Sequence, residues 1–335
     1  EVADGAIELL ASGRYEPILP ALPRAERVEQ IAAMRSRLRA RFGVDATGLW
    51  LTERVWEPEL APDLAAAGVQ WLFVDDHHMR LAGVPPAQLD RPWRTGVDAE
   101  PLTLLPIDER LRYLVPFRPF SELEHALRSR RAMAERCGTA ASPEASRSCA
   151  PLAILADDGE KFGGWPDTFE WVWTRGWLDD FCRGMVRLRD EGVLELVRGS
   201  EAAASARLAG PISAASTSYR EMEEWALAPD DARAFGDALR VVDTDTSAPA
   251  RAARDFVRGG HWRSFADRYA EAARMQARTT QLRQLAETRL PAPDAVLAPD
   301  VRAAAVLDHL ARARCNDAYW HGVFGGLYLP HLRAA

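Results

Sequence analysis

Two acidic stretches carry residue types suited to sugar chemistry. In Trp50-Leu51-Thr52-Glu53-Arg54-Val55-Trp56 an apolar run ends in an acid set between tryptophans, and Pro58 stops any strand from continuing. In Leu152-Ala153-Ile154-Leu155-Ala156-Asp157-Asp158-Gly159-Glu160 an apolar run again meets acids, followed by the turn Phe162-Gly163-Gly164-Trp165. Breaking a glycosidic bond with retention needs two carboxyl groups. One attacks the anomeric carbon and the other protonates the leaving oxygen, with the pair about 5–5.5 Å apart. The nucleophile must stay ionised, which a cation such as Arg54 or Arg110 would favour. The acid must keep its proton near neutral pH, which the carboxyl neighbours Asp157 and Glu160 would favour at Asp158. Glu53 and Asp158 are therefore the expected catalytic pair. The 11 tryptophans fit the same substrate, because an indole stacks on the apolar face of a pyranose. A strand-end acid can equally do no more than cap the next helix, and spacing alone leaves that reading open.

The elements that must hold these acids can be read from periodicity. Val28, Ile31, Met34 and Leu38 form one apolar stripe, which predicts a helix over 24–42 stopped by Gly43. A strand is expected over 48–53. A short helix over 58–68 follows, with Leu60, Leu64 and Ala67 inward and Gly68 at its end. The next strand, 69–74, leads into Asp75-Asp76-His77-His78. Strand, helix, strand implies parallel pairing, and acids at the ends of parallel strands are where α/β enzymes keep their chemistry. Further strands are expected at 6–10 (which carries Glu8), 102–107, 152–156 and 194–197. A helix starts at Ser121 with Glu124 completing a capping box. Another, capped by Asp167, carries Phe169, Trp171, Trp173 and Trp177. Residues 137–150 are small and polar and read as an exposed loop. Beyond about 229 the Ala/Arg/Leu/Asp composition predicts a helical bundle with breaks near 246–250, 259–260 and 291–299. The expected division is 1–228 and 229–335.

Composition narrows the function. With 335 residues, 47% hydrophobic and 27% charged, the chain can build a sizeable core. A net charge of −7 and the lack of a basic stripe exclude a nucleic-acid partner. No apolar run approaches the roughly 20 residues needed to cross a bilayer, so no membrane partner is expected. The cysteines at 137, 149, 182 and 315 form no Cys-x-x-Cys pair, and reduced thiols in a cytoplasmic protein are the expectation. Cys137 and Cys149 bracket the 137–150 loop. A metal hydrolase built on Asp75, Asp76, His77 and His78 is disfavoured, because neighbours on a strand face opposite ways and no His-x-x-x-His completes the set. No metal or other cofactor is expected. The chain opens on Glu1 with residues typical of a domain interior, as a fragment would.

Taken together, these stretches resemble glycoside hydrolase family 57, in its 4-α-glucanotransferase/α-amylase branch. Trp50–Trp56 is similar to the nucleophile motif and Asp158-Gly159-Glu160-Lys161-Phe162-Gly163-Gly164-Trp165-Pro166 to the acid/base motif. Gly5-Ala6-Ile7-Glu8 and Cys315-Asn316-Asp317-Ala318-Tyr319-Trp320-His321-Gly322 resemble two further motifs. Tyr219–Trp225, Pro116–Pro119 and Phe256–Gly260 also have the look of the branch. The resemblance implies an α/β fold, an incomplete (β/α)7 barrel followed by an α-helical bundle. It makes Glu53 the nucleophile and Asp158, rather than Asp157, the acid/base by its Asp-x-Glu register. Glu8, Glu160 and Asp317 would hold substrate hydroxyls; Trp225 and Trp320 would stack on sugar rings; Trp56 and Trp165 would also line the substrate. The implied partner is an α-glucan, whose α-1,4 bond is cleaved and passed to another glucan or to water. A branching enzyme, a non-catalytic glucan-binding protein and a metal-dependent carbohydrate deacetylase are the alternatives, and a homodimer stays open. The family's His-x-His-Gln-Pro strand and the branch's C-terminal β-sandwich have no counterpart, His77 stands where the branch more often has Tyr, and 137–150 looks inserted.

Overall fold

The computed structural model describes residues 2, 4–96, 101–138, 151–204, 208–254, 256–290 and 301–319. They fall into two compact units, Glu1–Val69 with Ala215–Ala335, and Gln70–Ala214.

The first unit begins with α1 (Arg24–Phe42), which Gly43 ends at φ 70°, its N–H bonded to the Arg39 carbonyl. The apolar stripe is only partly realised. Ile31 is buried, but Glu26 and Gln30 fill the rest of the covered face. The reason is Arg314, whose guanidinium lies on the Glu26 carboxylate at 2.9–3.0 Å, both side chains buried. Buried charge of this kind is tolerated only when paired. Strand β1 (Gly48–Leu49) is much shorter than expected, since Thr52–Arg54 already forms a tight turn. No strand forms over 6–10. Ala11 alone bridges to Leu49, donating to the Gly48 carbonyl and accepting from Trp50 N, each at 2.8 Å. Helix α2 (Leu60–Ala66) buries Leu60 and Leu64 fully. Gly68 follows at φ 77°, and a side chain there would collide with the Arg35 guanidinium that caps the Ala67 carbonyl.

The second unit contains β2 (Trp71–Asp75), α3 (Asp76–Leu81), β3 (Trp93–Thr95), β4 (Leu102–Ile107), α4 (Glu109–Leu114), α5 (Phe120–Gly138), α6 (Trp177–Asp190), α7 (Gly199–Ala203) and β5 (Ala209–Pro211). Strands β2 and β4 run parallel, from Trp71 opposite Thr103 to Asp75 opposite Ile107. Strand β3 lies antiparallel to β4 and parallel to β5. Both central strands are almost wholly buried, so each reads as a continuous apolar run. Each then hands over to a helix capped by its last acid. Asp75 accepts from His77 N at 3.2 Å and Asp108 from Leu111 N at 3.1 Å. At these two positions the capping reading of a strand-end acid is correct.

Several expected elements differ. Residues 152–156 form no strand; single bonds from Leu152 N to the Asp90 carbonyl and from Asp108 N to the Ile154 carbonyl hold them. Residues 194–197 are not a strand either. Val193 and Leu194 pack on a cluster of Leu111, Leu114, Leu123, Trp177 and Leu188 instead. Helix α5 starts at Phe120, so Ser121 is inside it and Glu124 binds Arg128 and Arg187 rather than closing a capping box. The aromatic helix expected after Asp167 is broken. Asp167 sits at φ 63°, Glu170–Thr174 forms one π-helical turn, and Gly176 at φ 77° precedes α6.

From 215 onward the first unit is helical, as composition predicts: α8 (Arg220–Trp225), α9 (Pro229–Thr244), α10 (Ala248–Arg254), α11 (Phe265–Arg268), α12 (Ala270–Arg289), α13 (Val301–Arg312) and α14 (Asn316–Tyr319). The breaks at 245–247 and 259–260 are seen. The break at 291–299, most of the 137–150 loop with Cys149, and Trp320 lie outside the described residues. The α/β class holds, and the described strands do not close into a barrel. No described helix is long and apolar enough to cross a membrane.

Candidate functional site

Glu53 sits in a turn that the backbone resists. It adopts φ 51° and ψ 17°, and Arg54 follows at φ 48°. Left-handed backbone at a residue with a Cβ costs of order 1–3 kcal/mol each and persists only where the surroundings over-determine it. Here they do. Arg54 N bonds the Leu51 carbonyl, and Trp56 and Thr217 exchange backbone bonds at 2.9 and 3.2 Å. That antiparallel bridge brings Ser218 and Tyr219 beside the turn. The Ser218 hydroxyl donates to the Glu53 carbonyl, and the Tyr219 phenol donates to Glu53 Oε2 at 2.5 Å. Tyr219 is buried. The Arg54 guanidinium covers its ring at 4.2 Å from the centroid and Trp225 meets it edge-on at 5.7 Å. Burial first, then the Glu53 charge, hold its phenol well above the usual tyrosine range, so it stays a protonated donor. Beneath it lies a core of Ile18, Val55, Met222, Trp262 and Phe265.

The other expected residues of this unit are more dispersed. Trp56 is fully buried, which corrects its expected place among the substrate-lining rings: its indole is core. Trp225 is half-buried against Tyr219. Glu8 is half-buried and Asp317 exposed. Asn316 pins the Asp317 segment by donating to the Glu16 carbonyl at 2.9 Å from its side chain. Glu57 is a structural anchor, accepting from Trp262 Nε1 at 3.1 Å and from Arg263 at 2.7–2.8 Å.

Asp158, Glu160 and Trp165 belong to the second unit. The buried acid of this motif is Asp157. Its Oδ2 accepts from Arg112 Nε at 3.0 Å and Lys161 Nζ at 2.5 Å, and Arg112 reaches on to Asp75 Oδ2 at 3.3 Å. Lys161, itself buried, also donates to the Arg112 carbonyl at 2.8 Å. Burial works to raise the Asp157 carboxyl, but the Lys161 hydrogen bond and the Arg112 charge prevail and hold it below the usual range. A carboxylate so committed cannot serve as a proton donor. Asp157 Oδ1 in turn accepts from Asp158 N at 2.9 Å, which fixes the backbone of the exposed Asp158. Glu160 is exposed, and its carbonyl accepts from Gly164 N and Trp165 N, closing the turn. Gly163 there takes φ 133°, where a Cβ would lie 2.8 Å from Trp173 Nε1. Trp165 is partly exposed and stacks on Phe117, ring centroids 6.1 Å apart.

Sequence reasoning assigned no role to Ser218, Tyr219, Arg112 or Lys161. Tyr219 and Lys161 lay inside quoted motifs, which was their one signal; Arg112 had none. Asp76 enters the sequence reading only as a metal ligand. It is buried and raised to about 7 by burial and by the Asp75 charge. Among the described residues no three of His, Cys, Asp or Glu gather as a metal ion requires.

Comparison with known proteins fits this geometry. Residues 2–213 match the family model of glycosyl hydrolase family 57, and residues 260–335 match that of the alpha-amylase/4-alpha-glucanotransferase middle domain. The chain belongs to glycosyl hydrolase family 57. It is 39% identical over 334 residues to an alpha-amylase of Pyrococcus abyssi, a match covering 100% of this chain and 46% of that protein. It is 37% identical over 334 residues to a 4-alpha-glucanotransferase of Thermococcus kodakarensis, covering 100% and 46%. Among solved structures, the 4-alpha-glucanotransferase from Thermococcus litoralis superposes with a TM-score of 0.82 at 36% identity, covering 99% of this chain and 47% of that one. The chain thus spans just under half the length of the relatives it matches.

Proposed function

We propose that the whole protein is a retaining α-glucan-active enzyme that cleaves α-1,4 glucosidic bonds and passes the glucosyl unit to another glucan or to water. The observation that carries this is the seating of Glu53, an acid held in left-handed backbone with its carboxylate on a buried tyrosine. Ser218 at its carbonyl and Tyr219 at its carboxylate hold the acid in that conformation. In this reading Glu53 attacks the anomeric carbon while Asp158 protonates the leaving oxygen. Asp158 then draws the proton from the incoming hydroxyl as the ester is broken. The commitment of Asp157 to Lys161 and Arg112 supports Asp158 as the group that moves the proton. Glu8, Glu160 and Asp317 would hold hydroxyls, and Trp165, Trp225 and Trp320 would face sugar rings. The two family matches, which meet between 213 and 260, support a catalytic part over 1–228 and a helical part over 229–335. Free thiols at Cys182 and Cys315 suit a cytoplasmic setting.

The test uses the intact protein and maltotriose. A ladder of longer products means transfer; glucose and maltose alone mean hydrolysis. Glu53→Gln is expected to lower either turnover by at least about a thousandfold, since the covalent route is closed. Turnover retained in that variant would sink the assignment.

A further inference from the structure

The Ser218-Tyr219 pair reaches Glu53 across 165 and 166 positions of sequence and grips it twice, once at the main-chain carbonyl and once at the carboxylate. Core packing alone would not require this. A phenylalanine at 219 would fill the same cluster and sit equally well under Arg54. What the phenol oxygen adds is a hydrogen bond aimed at the carboxylate. A hydrogen bond to a charged acceptor is roughly twice as strong as one to a neutral acceptor. Its worth therefore changes whenever Glu53 changes charge.

On the reading of Glu53 as nucleophile, we infer that Tyr219 is the positioning residue of that carboxylate, and that its phenol acts chiefly in the second half of the reaction. In the first half a Glu53 oxygen bonds the anomeric carbon. The glycosidic bond breaks, and its electron pair stays on the leaving oxygen, which takes the proton of Asp158. Glu53 passes from anion to neutral ester, and the bond from Tyr219 weakens. In the second half the acceptor oxygen bonds the anomeric carbon and gives its proton to Asp158. The ester bond to Glu53 breaks, and its electron pair returns to the carboxylate. The phenol then donates to a growing negative charge, so it favours this departure while opposing the attack electronically. Ser218, which bonds the carbonyl rather than the carboxylate, shares the positioning and not this asymmetry.

The experiment is Tyr219→Phe in the intact protein with maltotriose, quenched in steady state and read by peptide mass spectrometry for esterified Glu53. The expected result is a fall in kcat of about ten- to a hundredfold, the loss of one hydrogen bond to a charge. KM should fall with it, and the fraction of enzyme trapped as ester should rise. Melting should stay within a few degrees of the wild type, because the ring remains; any larger drop is met by assaying below the new transition. Ser218→Ala should slow turnover without trapping ester. A Tyr219→Phe enzyme with unchanged kcat, or slowed with no more ester than wild type, overturns the inference. Labelling the wild type with a fluorinated α-glucosyl fluoride separates the two ideas. Label on a peptide lacking Glu53 defeats the nucleophile reading, whereas label on Glu53 with no trapping in Tyr219→Phe defeats only the role of Tyr219.

Discussion

Lys161→Met isolates the support beneath the acid/base motif. Methionine keeps the length and apolar stem of the buried lysine and removes its charge. Three interactions are lost: the 2.5 Å ion pair with Asp157, the 2.8 Å bond to the Arg112 carbonyl, and the weaker approach of the ammonium to the Phe117 ring at 5.2 Å from its centroid. A hydrogen bond to a charged group contributes about 1.5–3 kcal/mol, and an orphaned buried carbonyl costs about 1–3 kcal/mol. Against this stands the relief of burying the lysine, visible in the downward displacement of its own ammonium by burial. Asp157 keeps Arg112 at 3.0 Å, so the full penalty of an unpaired charge is not incurred. The net expectation is a loss of about 3 kcal/mol, or roughly 6–12 °C in melting temperature at about 2–4 °C per kcal/mol. Calorimetry of Lys161→Met, Asp157→Asn and the double variant checks it. The double variant should cost clearly less than the sum of the singles, because the second change removes the charge that the first one strands. Below the transition, Lys161→Met should still lose at least about tenfold in kcat, since Asp158 hangs from the Asp157 carboxylate by its backbone N–H. A melting point within about 1 °C of wild type, or strict additivity in the double variant, would refute the network as described.

The other predictions concern single residues. Asp76 holds its proton up to about 7 in the folded state against 3.8 for the free group. The folded state therefore binds the extra proton between those values, and stability should fall as pH rises from about 4 to about 7. Asp76→Asn should flatten that limb in melting temperatures taken across pH, and an unchanged slope would count against the burial argument. Gly163→Ala places a Cβ on backbone at φ 133° and against Trp173, so a loss of about 1–3 kcal/mol is expected. A red-shifted tryptophan emission should accompany it as the Trp173 indole leaves the Phe162 carbonyl.

What was legible in the sequence was local. The helix ending at Gly43, the helix carrying Leu60 and Leu64, and the strands Trp71–Asp75 and Leu102–Ile107 all announce themselves through periodicity and end signals within a few residues. The misread runs at 152–156 and 194–197 show the limit of that signal. A short apolar run is buried equally well against side chains as in a ladder, and nothing within the run says which. The stripe on Arg24–Phe42 misleads for a related reason. Its covered face is finished by Glu26 under Arg314, a partner 288 positions away.

The same distance separates the two proposed catalytic carboxylates from what fixes them. Glu53 and Asp158 are candidates on their own motifs, because an acid after an apolar run and before a turn is a local pattern. Their supports are not local. Tyr219 is 166 positions from Glu53, and Arg112 is 45 from Asp157 and 37 from Asp75. Residue type gives no hint either, since a tyrosine before a glutamate-rich helix or an arginine in a short helix is ordinary. The folded chain shows Glu53 accepting from the Tyr219 phenol and Asp157 accepting from Arg112 and Lys161. That difference has a chemical consequence. In the proposed reaction the Tyr219 bond weakens as Glu53 becomes an ester and strengthens as the carboxylate returns. Two buried cations hold Asp157 as an anion, which supports the proposal that Asp158 is the group that moves the proton.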